Sequence, residues 1–141
     1  MSASKKLSLA VKALYILDAH QGKPLSSIQI SDELKVNPSK LRRILSMLVK
    51  TGLIISTQGV NGGFVLNKPA DKIHLQEVYC SVEEKKAFYL DFHDHDKADS
   101  TSSKMNKFFL DLFADVQVVI EDHMRNISIK DVAENINKHN I

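Results

Sequence analysis

The sequence predicts a mainly α-helical protein with one small β-hairpin. Apolar residues recur every three or four positions along most of the chain, which is the spacing of amphipathic helices. One β-branched segment, 53–57, is followed by an Asn-Gly turn and by the apolar segment 64–66, which indicates a hairpin. The 141 residues are 43% hydrophobic with three Pro and five Gly, as in an ordered globular chain.

Three helices are predicted before the hairpin. The first covers about 4–20 and ends at Gly22 and Pro24. The second starts at Ser26 or Ser27, and its apolar residues are Ile28, Ile30 and Leu34. The third has Asn37 as its N-cap and Pro38 in its first turn, and it runs to about Lys50. Its buried stripe is predicted to be Leu41, Ile44, Leu45 and Leu48, and its polar face Ser39, Lys40, Arg42, Arg43, Ser46 and Lys50.

The rest of the chain is predicted to be helical apart from a polar linker. A short fourth helix includes Leu75 and Val82, about 90–103 forms a linker or loop, and a long helix covers about 102–125. Ser128 and Asp131 form a capping box for a last helix. One face of the long helix is apolar and wide: Met105, Phe108, Phe109, Leu112, Phe113, Val116, Val119, Ile120 and Met124. Helix one could cover part of this face, but a second copy of the chain is favoured.

Charge is distributed unevenly along the sequence. Residues 1–69 contain ten Lys/Arg and three Asp/Glu, whereas residues 70–141 contain nine Lys/Arg and fourteen Asp/Glu. A basic half joined to an acidic half suggests that the first half binds a polyanion. No apolar run approaches the ~20 residues that span a bilayer, so no membrane partner is expected. The single cysteine, Cys80, excludes an internal disulfide and fits a reducing cytoplasm.

The order helix, helix, turn, helix and hairpin is that of a winged helix-turn-helix domain, which favours DNA binding. An α-helix fits the major groove, and an arginine such as Arg42 or Arg43 can donate two hydrogen bonds to guanine. Ser39, Lys40 and the free N–H groups at the start of helix three suit phosphates or bases. The alternative is a protein-docking winged helix without sequence preference. No nucleophile elbow, phosphate loop or metalloprotease helix is present, so an enzyme is not expected.

Four segments resemble the Rrf2 family of winged-helix regulators. They read LSLAVKALYILDAH, SSIQISDELKVNPSKLRRILSMLVKTGLIISTQG, VNGGFVL and IHLQEVYCSVE, and they lie within about residues 7–84. The resemblance implies a homodimer that binds an imperfect palindrome in a double-stranded DNA operator as a repressor. It also implies the DNA-facing residues Ser8, Ser27, Asn37, Ser39, Lys40, Arg42, Arg43, Gln58, Gly59, Asn61 and Gly62.

Two departures from the family pattern change what is expected here. Family members often carry arginine where this chain has Gln58, and that arginine suits a narrow minor groove. Sensing members hold an iron–sulfur cluster with three cysteines in the loop before the long helix, and this loop contains none. Because thiolates hold such clusters, no iron–sulfur cluster and no other cofactor is predicted.

Two segments are candidates for sensing a signal, each with an ordinary structural alternative. Cys80 could be oxidised or could pair with Cys80 of a second copy, but a buried structural cysteine is the favoured interpretation. The segment His93-Asp94-His95-Asp96 could contribute to a metal site, but a solvated acidic loop is favoured, so no metal is predicted. The effector is left open.

The predicted organisation has three parts. Residues 1–84 form the DNA-binding domain, 85–103 a linker, and 104–141 the dimerisation helix with the last helix. Phe108, Phe109, Leu112, Phe113, Val116, Val119 and Ile120 are the predicted dimer interface. The basic, then apolar N-terminus is interrupted by Lys12 and lacks a small-residue cleavage site, so a cytoplasmic, nucleoid-associated protein is expected rather than a secreted one.

Overall fold

The computed structural model describes residues 1–83 and 100–138, and it contains the predicted helices and hairpin. The elements are α1 (Ala3–Ala19), α2 (Ser27–Leu34), α3 (Pro38–Lys50), β1 (Ile54–Thr57), β2 (Gly63–Leu66), a 3₁₀ turn (Ala70–Lys72), α4 (Leu75–Val82), α5 (Thr101–Arg125) and α6 (Ile129–Lys138). The predicted fold class, mainly α with a small hairpin, is confirmed.

Polar caps fix where the helices begin. The Ser26 side chain accepts the Gln29 N–H, and the Gln29 side chain accepts the Ser26 N–H, so Ser26 rather than Ser27 caps α2. Ser128 and Asp131 exchange the same pair of hydrogen bonds at the start of α6, as predicted. Each cap satisfies backbone N–H groups that the helix itself leaves without partners.

One hydrophobic core joins the first four helices and the hairpin. Its fully buried side chains include Leu14 of α1, Ile30 of α2, Leu45 of α3, Ile54 of β1 and Val78 of α4. Burying each such side chain stabilises the fold by about 1.5–3 kcal/mol. In α2, Ile30 is buried in this core, whereas Ile28 is exposed.

The hairpin is attached to the core through a third extended segment. β1 and β2 are antiparallel, with Ile54 opposite Leu66 and Thr57 opposite Gly63. Leu25 and Phe64 exchange both backbone hydrogen bonds, at 2.8 and 3.2 Å. A Cβ on Gly63 would lie 2.6 Å from the Leu25 backbone, so this close approach requires glycine. The bridge therefore fixes the hairpin against the segment that precedes α2.

The end of the chain returns to the first domain. The Leu75 N–H donates to the Ile127 carbonyl and the Ile129 N–H donates to the Ile73 carbonyl, both at 2.8 Å. Ile129 is fully buried in the same core as α1 to α4. The helix α6 consequently packs on α1 and on the 3₁₀ turn, while α5 packs on α4. None of the helices in 1–83 and 100–138 is long and apolar enough to cross a membrane.

Candidate nucleic-acid interface

The helix α3 buries one face and exposes the other. Leu41, Ile44, Leu45 and Leu48 are almost completely buried, as predicted, and they fix the orientation of the helix on the core. The opposite face is exposed and carries Ser39, Arg42, Arg43, Ser46 and Lys50. This face, with Met47, lines an open groove of about 670 Å³. An exposed helix face with three cations has the diameter and the donor groups to enter a DNA major groove.

The predicted free N–H groups at the start of α3 are already bonded, so that expectation was wrong. The Asn37 Oδ1 accepts the Ser39 N–H at 2.9 Å and the Lys40 N–H at 3.2 Å. An N-cap of this kind satisfies the donors that a phosphate would otherwise bind. Ser39 and Lys40 therefore offer their exposed side chains to a ligand, and Asn37 acts first as the cap.

A second groove lies between the start of α1 and the start of α3. It has a volume of about 380 Å³ and includes Lys5, Ser8, Lys12, Asn37 and Lys40 among its lining residues. Ser8 was predicted from the resemblance, but Lys5 and Lys12 were not predicted. Their i, i+3 and i+7 spacing with Ser8 places all three on one face of α1, and this spacing was visible in the sequence. Three lysines in one groove favour an anionic ligand.

Ser27 has a different environment from the other predicted contacts. It is half-buried at the first position of α2, directly after the capping Ser26. It lines neither the groove on α3 nor the groove beside α1. These two grooves therefore bring together Ser8, Asn37, Ser39, Lys40, Arg42 and Arg43, but not Ser27.

The turn of the hairpin, residues 58–62, is exposed and uncharged. Gln58, Gly59 and Asn61 are exposed, Gly62 is half-buried, and Val60 at the tip is completely exposed. A Cβ on Gly62 would lie 2.3 Å from the Thr57 carbonyl oxygen, so the tight turn excludes larger residues. The left-handed position in the turn is Gly59, with φ of 104°, and not Asn61. The Asn-Gly pair thus marks the hairpin correctly without forming a two-residue turn.

The hairpin contains no charged side chain. Between Lys50 and Lys68 the sequence contains no Asp, Glu, Lys or Arg. The charged groups that could attract an anionic ligand therefore lie on α1 and α3, whereas the hairpin turn exposes amide side chains and the apolar Val60. Gln58 supplies no charge for a narrow minor groove.

The apolar face of α5 is partly uncovered in the single chain. Phe108, Leu112 and Val119 are exposed, with Phe108 at 62%, whereas Phe109, Phe113, Val116 and Ile120 are half-buried. The ring of Phe109 lies 5.5 Å from that of Phe108 and 5.8 Å from that of Phe113, between centroids. Large apolar side chains exposed together on one helix face are typical of an interaction surface.

Cys80 is exposed, so the favoured interpretation of a buried structural cysteine was wrong. Its side chain lies on α4 beside α5, where the Gln76 Nε2 is 3.3 Å and the Glu121 Oε1 is 3.7 Å from the sulfur. The error has a simple cause. Val78, Tyr79 and Val82 occupy the buried face of α4, and position 80 turns away from that face.

A polar cluster joins the exit of the hairpin to α4 and α6. The Lys68 Nζ donates to Glu77 at 2.7 Å, and the His74 N–H donates to the same carboxylate at 3.1 Å. Partial burial raises the pKa of Glu77, but the hydrogen bonds and the charges of Lys68 and His74 outweigh it and lower the pKa overall. The two hydrogen bonds from Ser128 similarly lower the pKa of Asp131.

The proteins that this chain resembles in sequence and fold carry the names of transcription regulators. The family model described as Rrf2, iron-dependent transcriptional regulator, matches residues 3–135. This chain belongs to the Rrf2 family. It is 27% identical to the HTH-type transcriptional regulator YwnA of Bacillus subtilis over 94% of the chain and 98% of that protein. It is 43% identical to the HTH-type regulator YffB of Lactococcus lactis, but that match spans only 45% of the chain and 40% of the relative.

A solved structure agrees with the fold. A transcriptional regulator from Lactobacillus plantarum superposes with a TM-score of 0.79 and 25% identity, over 95% of this chain and 91% of that one. The predicted Rrf2 winged helix-turn-helix fold is confirmed. The chain is a transcriptional regulator of this family and, as predicted, not an enzyme.

The residues of this Rrf2 protein do not fit a cysteine-ligated iron–sulfur cluster. Such clusters are held by several thiolates, and the chain has one cysteine. Within 1–83 and 100–138, no group of three or more His, Cys, Asp or Glu side chains is arranged to hold a metal ion. The segment His93-Asp94-His95-Asp96 lies outside the residues that the structure describes.

Proposed function

We propose that this chain is a homodimeric repressor that binds an imperfect palindrome in double-stranded DNA. The observation that carries the proposal is the exposed face of α3, where Arg42, Arg43 and Lys50 share one open groove. The family relationship supports DNA as the ligand. In a dimer the two α3 helices would enter successive major grooves, about 34–36 Å apart.

The surface divides into a part that reads bases and a part that holds the backbone. Arg42 and Arg43 are assigned to base edges, because an arginine donates two hydrogen bonds to guanine O6 and N7. Lys5, Lys12 and Lys40 are assigned to phosphates that lie beside the groove at α1. The uncharged hairpin turn is assigned to the flanking minor groove, which it contacts through Gln58, Asn61 and Val60 without adding counterion release.

The homodimer is assigned to the face of α5. Phe108, Leu112 and Val119 are exposed in the single chain, and they continue the half-buried row of Phe109, Phe113, Val116 and Ile120. A second copy would cover the exposed side chains by packing the same face against itself, as the two-fold symmetry of a palindrome requires. We place the dimer in the cytoplasm on the nucleoid, with no iron–sulfur cluster.

The proposal is tested by selecting duplexes from a random pool with the purified full-length chain. Anisotropy then compares the enriched duplex with a scrambled one over a series of salt concentrations. We expect a palindromic sequence that binds about 10³-fold or more tightly than scrambled DNA. Log affinity should fall linearly with log salt, because cations on α1 and α3 release counterions from the phosphates.

Two other outcomes would contradict the proposal. If no sequence is enriched and binding follows salt alone, the chain is a nonspecific DNA binder. If no duplex binds at any salt concentration, a winged helix that docks on protein becomes the better assignment. Sedimentation of the free chain provides the separate test of the dimer, which a monomer at micromolar concentration would contradict.

A further inference from the structure

A buried polar pair connects α4 to α5. The Gln117 side chain is 2% exposed and its Nε2 donates to the Tyr79 hydroxyl at 3.2 Å, while Tyr79 is 6% exposed. The buried residues of α5 are Gln117 and Met124, so Gln117 is the polar one of the two. An apolar pair of similar shape could fill the same space without the cost of removing an amide from water. We therefore expect the pair to favour one arrangement of α5 on α4 rather than to increase the free energy of unfolding.

A second polar contact lies next to this pair along the two helices. Cys80, which follows Tyr79 on α4, lies 3.7 Å from the Glu121 carboxylate, one helical turn after Gln117 on α5. A slide of α5 by one residue moves each side chain by 1.5 Å along the axis and rotates it by about 100°. Such a slide would remove the amide from the tyrosine hydroxyl and leave it buried without that partner. The buried pair thus favours one axial register of α4 on α5.

The helix α4 is also bonded to the elements that face DNA. The hydroxyl of Thr51, the C-cap of α3, lies 2.8 Å from the Ser81 hydroxyl. Lys68, two residues after β2, is paired with Glu77 at 2.7 Å. The position of α4 is consequently fixed relative to the end of α3 and to the exit of the hairpin.

We propose that the Tyr79–Gln117 hydrogen bond sets the distance between the two DNA-reading helices of the dimer. The bond positions α5, which carries the dimer face, on α4, which is bonded to α3 and to the hairpin. A displacement of α5 by 1.5 Å along its axis in both protomers would change the separation by at most about 3 Å, close to the rise of one base pair of about 3.4 Å. Tyr79 and Gln117 are positioning residues that select half-site spacing, and this inference rests on the proposed dimeric DNA-binding function.

The test replaces the pair by apolar side chains of similar size in the full-length chain. The variant Tyr79→Phe with Gln117→Met is assayed by anisotropy on the selected palindrome and on versions with one base pair inserted or removed at the centre. We expect the wild type to prefer its own spacing by about tenfold or more. The variant should remain a dimer and bind a single half-site as the wild type does, but its preference should fall to about threefold or less.

The matched control makes the same chemical change elsewhere. The Tyr15 hydroxyl lies 3.5 Å from the Asn137 Oδ1, in an exposed contact that joins α1 to α6. Tyr15→Phe with Asn137→Leu should keep the wild-type spacing preference. If the Tyr79 and Gln117 variant also keeps it, the inference is wrong. If that variant loses its dimer, Tyr79→Phe alone, which removes one oxygen, is assayed in the same way with the same two outcomes.

The same data separate this inference from the proposed function. A wild-type chain that is monomeric, or that selects no palindrome, overturns both. A wild-type dimer with a strict spacing and a variant with the same strict spacing overturns the inference alone.

Discussion

At the scale of single residues, Arg43 offers the sharpest test of base reading. Its guanidinium is exposed on the polar face of α3 and shares a groove with Ser39 and Arg42. We expect Arg43→Ala to weaken binding to the selected duplex by about 1–3 kcal/mol and to relax preference at one base pair. Anisotropy with duplexes substituted at each position measures both effects.

The control for Arg43 removes the same charge from another part of the surface. Arg125→Ala, at the end of α5, removes an exposed arginine that is paired with Asp122 and lies outside both grooves. This variant should bind the selected duplex as the wild type does. Equal losses in the two variants would mean that Arg43 contributes only net charge, and an unchanged preference in Arg43→Ala would remove it from the base-reading residues.

Gly63 carries a second prediction at this scale, because its missing Cβ permits the Leu25–Phe64 bridge. A methyl group there would lie 2.6 Å from the Leu25 carbonyl. We expect Gly63→Ala to lower the free energy of unfolding in urea by about 1–3 kcal/mol more than Gly59→Ala. Gly59 is the suitable reference, since it also has positive φ but has open space around its Cβ position. Equal losses would show that the Leu25 backbone moves to accommodate the methyl group with little loss of stability.

Which residues could be predicted depends on how local their role is. Asn37 was recognised as a cap because Asn before Pro at a helix start is a local signal. The same cap means that the Asn37 side chain accepts the Ser39 and Lys40 N–H groups, which contradicts the expectation that these groups are free. The exposure of Cys80 depends on how α4 is rotated against its neighbours, and eight residues with mixed apolar spacing do not determine that rotation.

At the scale of elements, the face of α5 predicts that the dimer depends on side chains that do not stabilise the single chain. Phe108 is 62% exposed, so its replacement should leave the chain's own core unchanged. We expect Phe108→Asp to raise the dimer dissociation constant by about 30-fold or more, since a carboxylate buried in an apolar interface costs at least 2 kcal/mol. Sedimentation over a concentration series measures this change.

Another exposed residue of α5 provides the control. Val118 is 56% exposed but lies outside the predicted stripe, and Val118→Asp adds the same charge to the same helix. It should keep the dimer. If Phe108→Asp sediments as the wild type does, or if both variants dissociate equally, the assigned face of α5 is wrong.

The elements were largely predictable, whereas their mutual contacts were not. The limits of α3 and α5 agree with the predictions to within about a residue, because long amphipathic stripes and capping residues are strong local signals. The packing of α5 on α4, and the burial of Gln117 in it, had no such signal. A glutamine on a helix is ordinarily exposed, so only tertiary structure identifies it as part of an interface.

At the scale of the whole molecule, the uneven charge of the sequence corresponds to a division between its surfaces. Six of the ten lysines and arginines of 1–69 line the two grooves at α1 and α3, whereas α5 carries acidic residues such as Asp111 and Glu121 beside its apolar face. In the proposed complex, this division would place DNA against α1 and α3 rather than against α5. The hairpin between Lys50 and Lys68 is neutral and stands apart from this division.

The pH dependence of the free energy of unfolding tests how much the carboxylates of Glu77 and Asp131 stabilise the contacts between the hairpin exit, α4 and α6. Their pKa values are lowered in the folded state from ordinary values of 4.5 and 3.8. Their stabilisation is therefore complete above those values and is lost as the pH falls through the folded pKa values.

We expect Glu77→Gln to reduce the free energy of unfolding by about 0.2–1 kcal/mol at pH 7, the range of a partly exposed ion pair, and by less at pH 3. Urea unfolding at both pH values measures the difference, with the exposed Glu134→Gln as the control. If Glu77→Gln lowers the free energy of unfolding equally at pH 7 and pH 3, the charge of Glu77 does not stabilise its contact with Lys68. Only the shape of the Glu77 side chain would then contribute to stability.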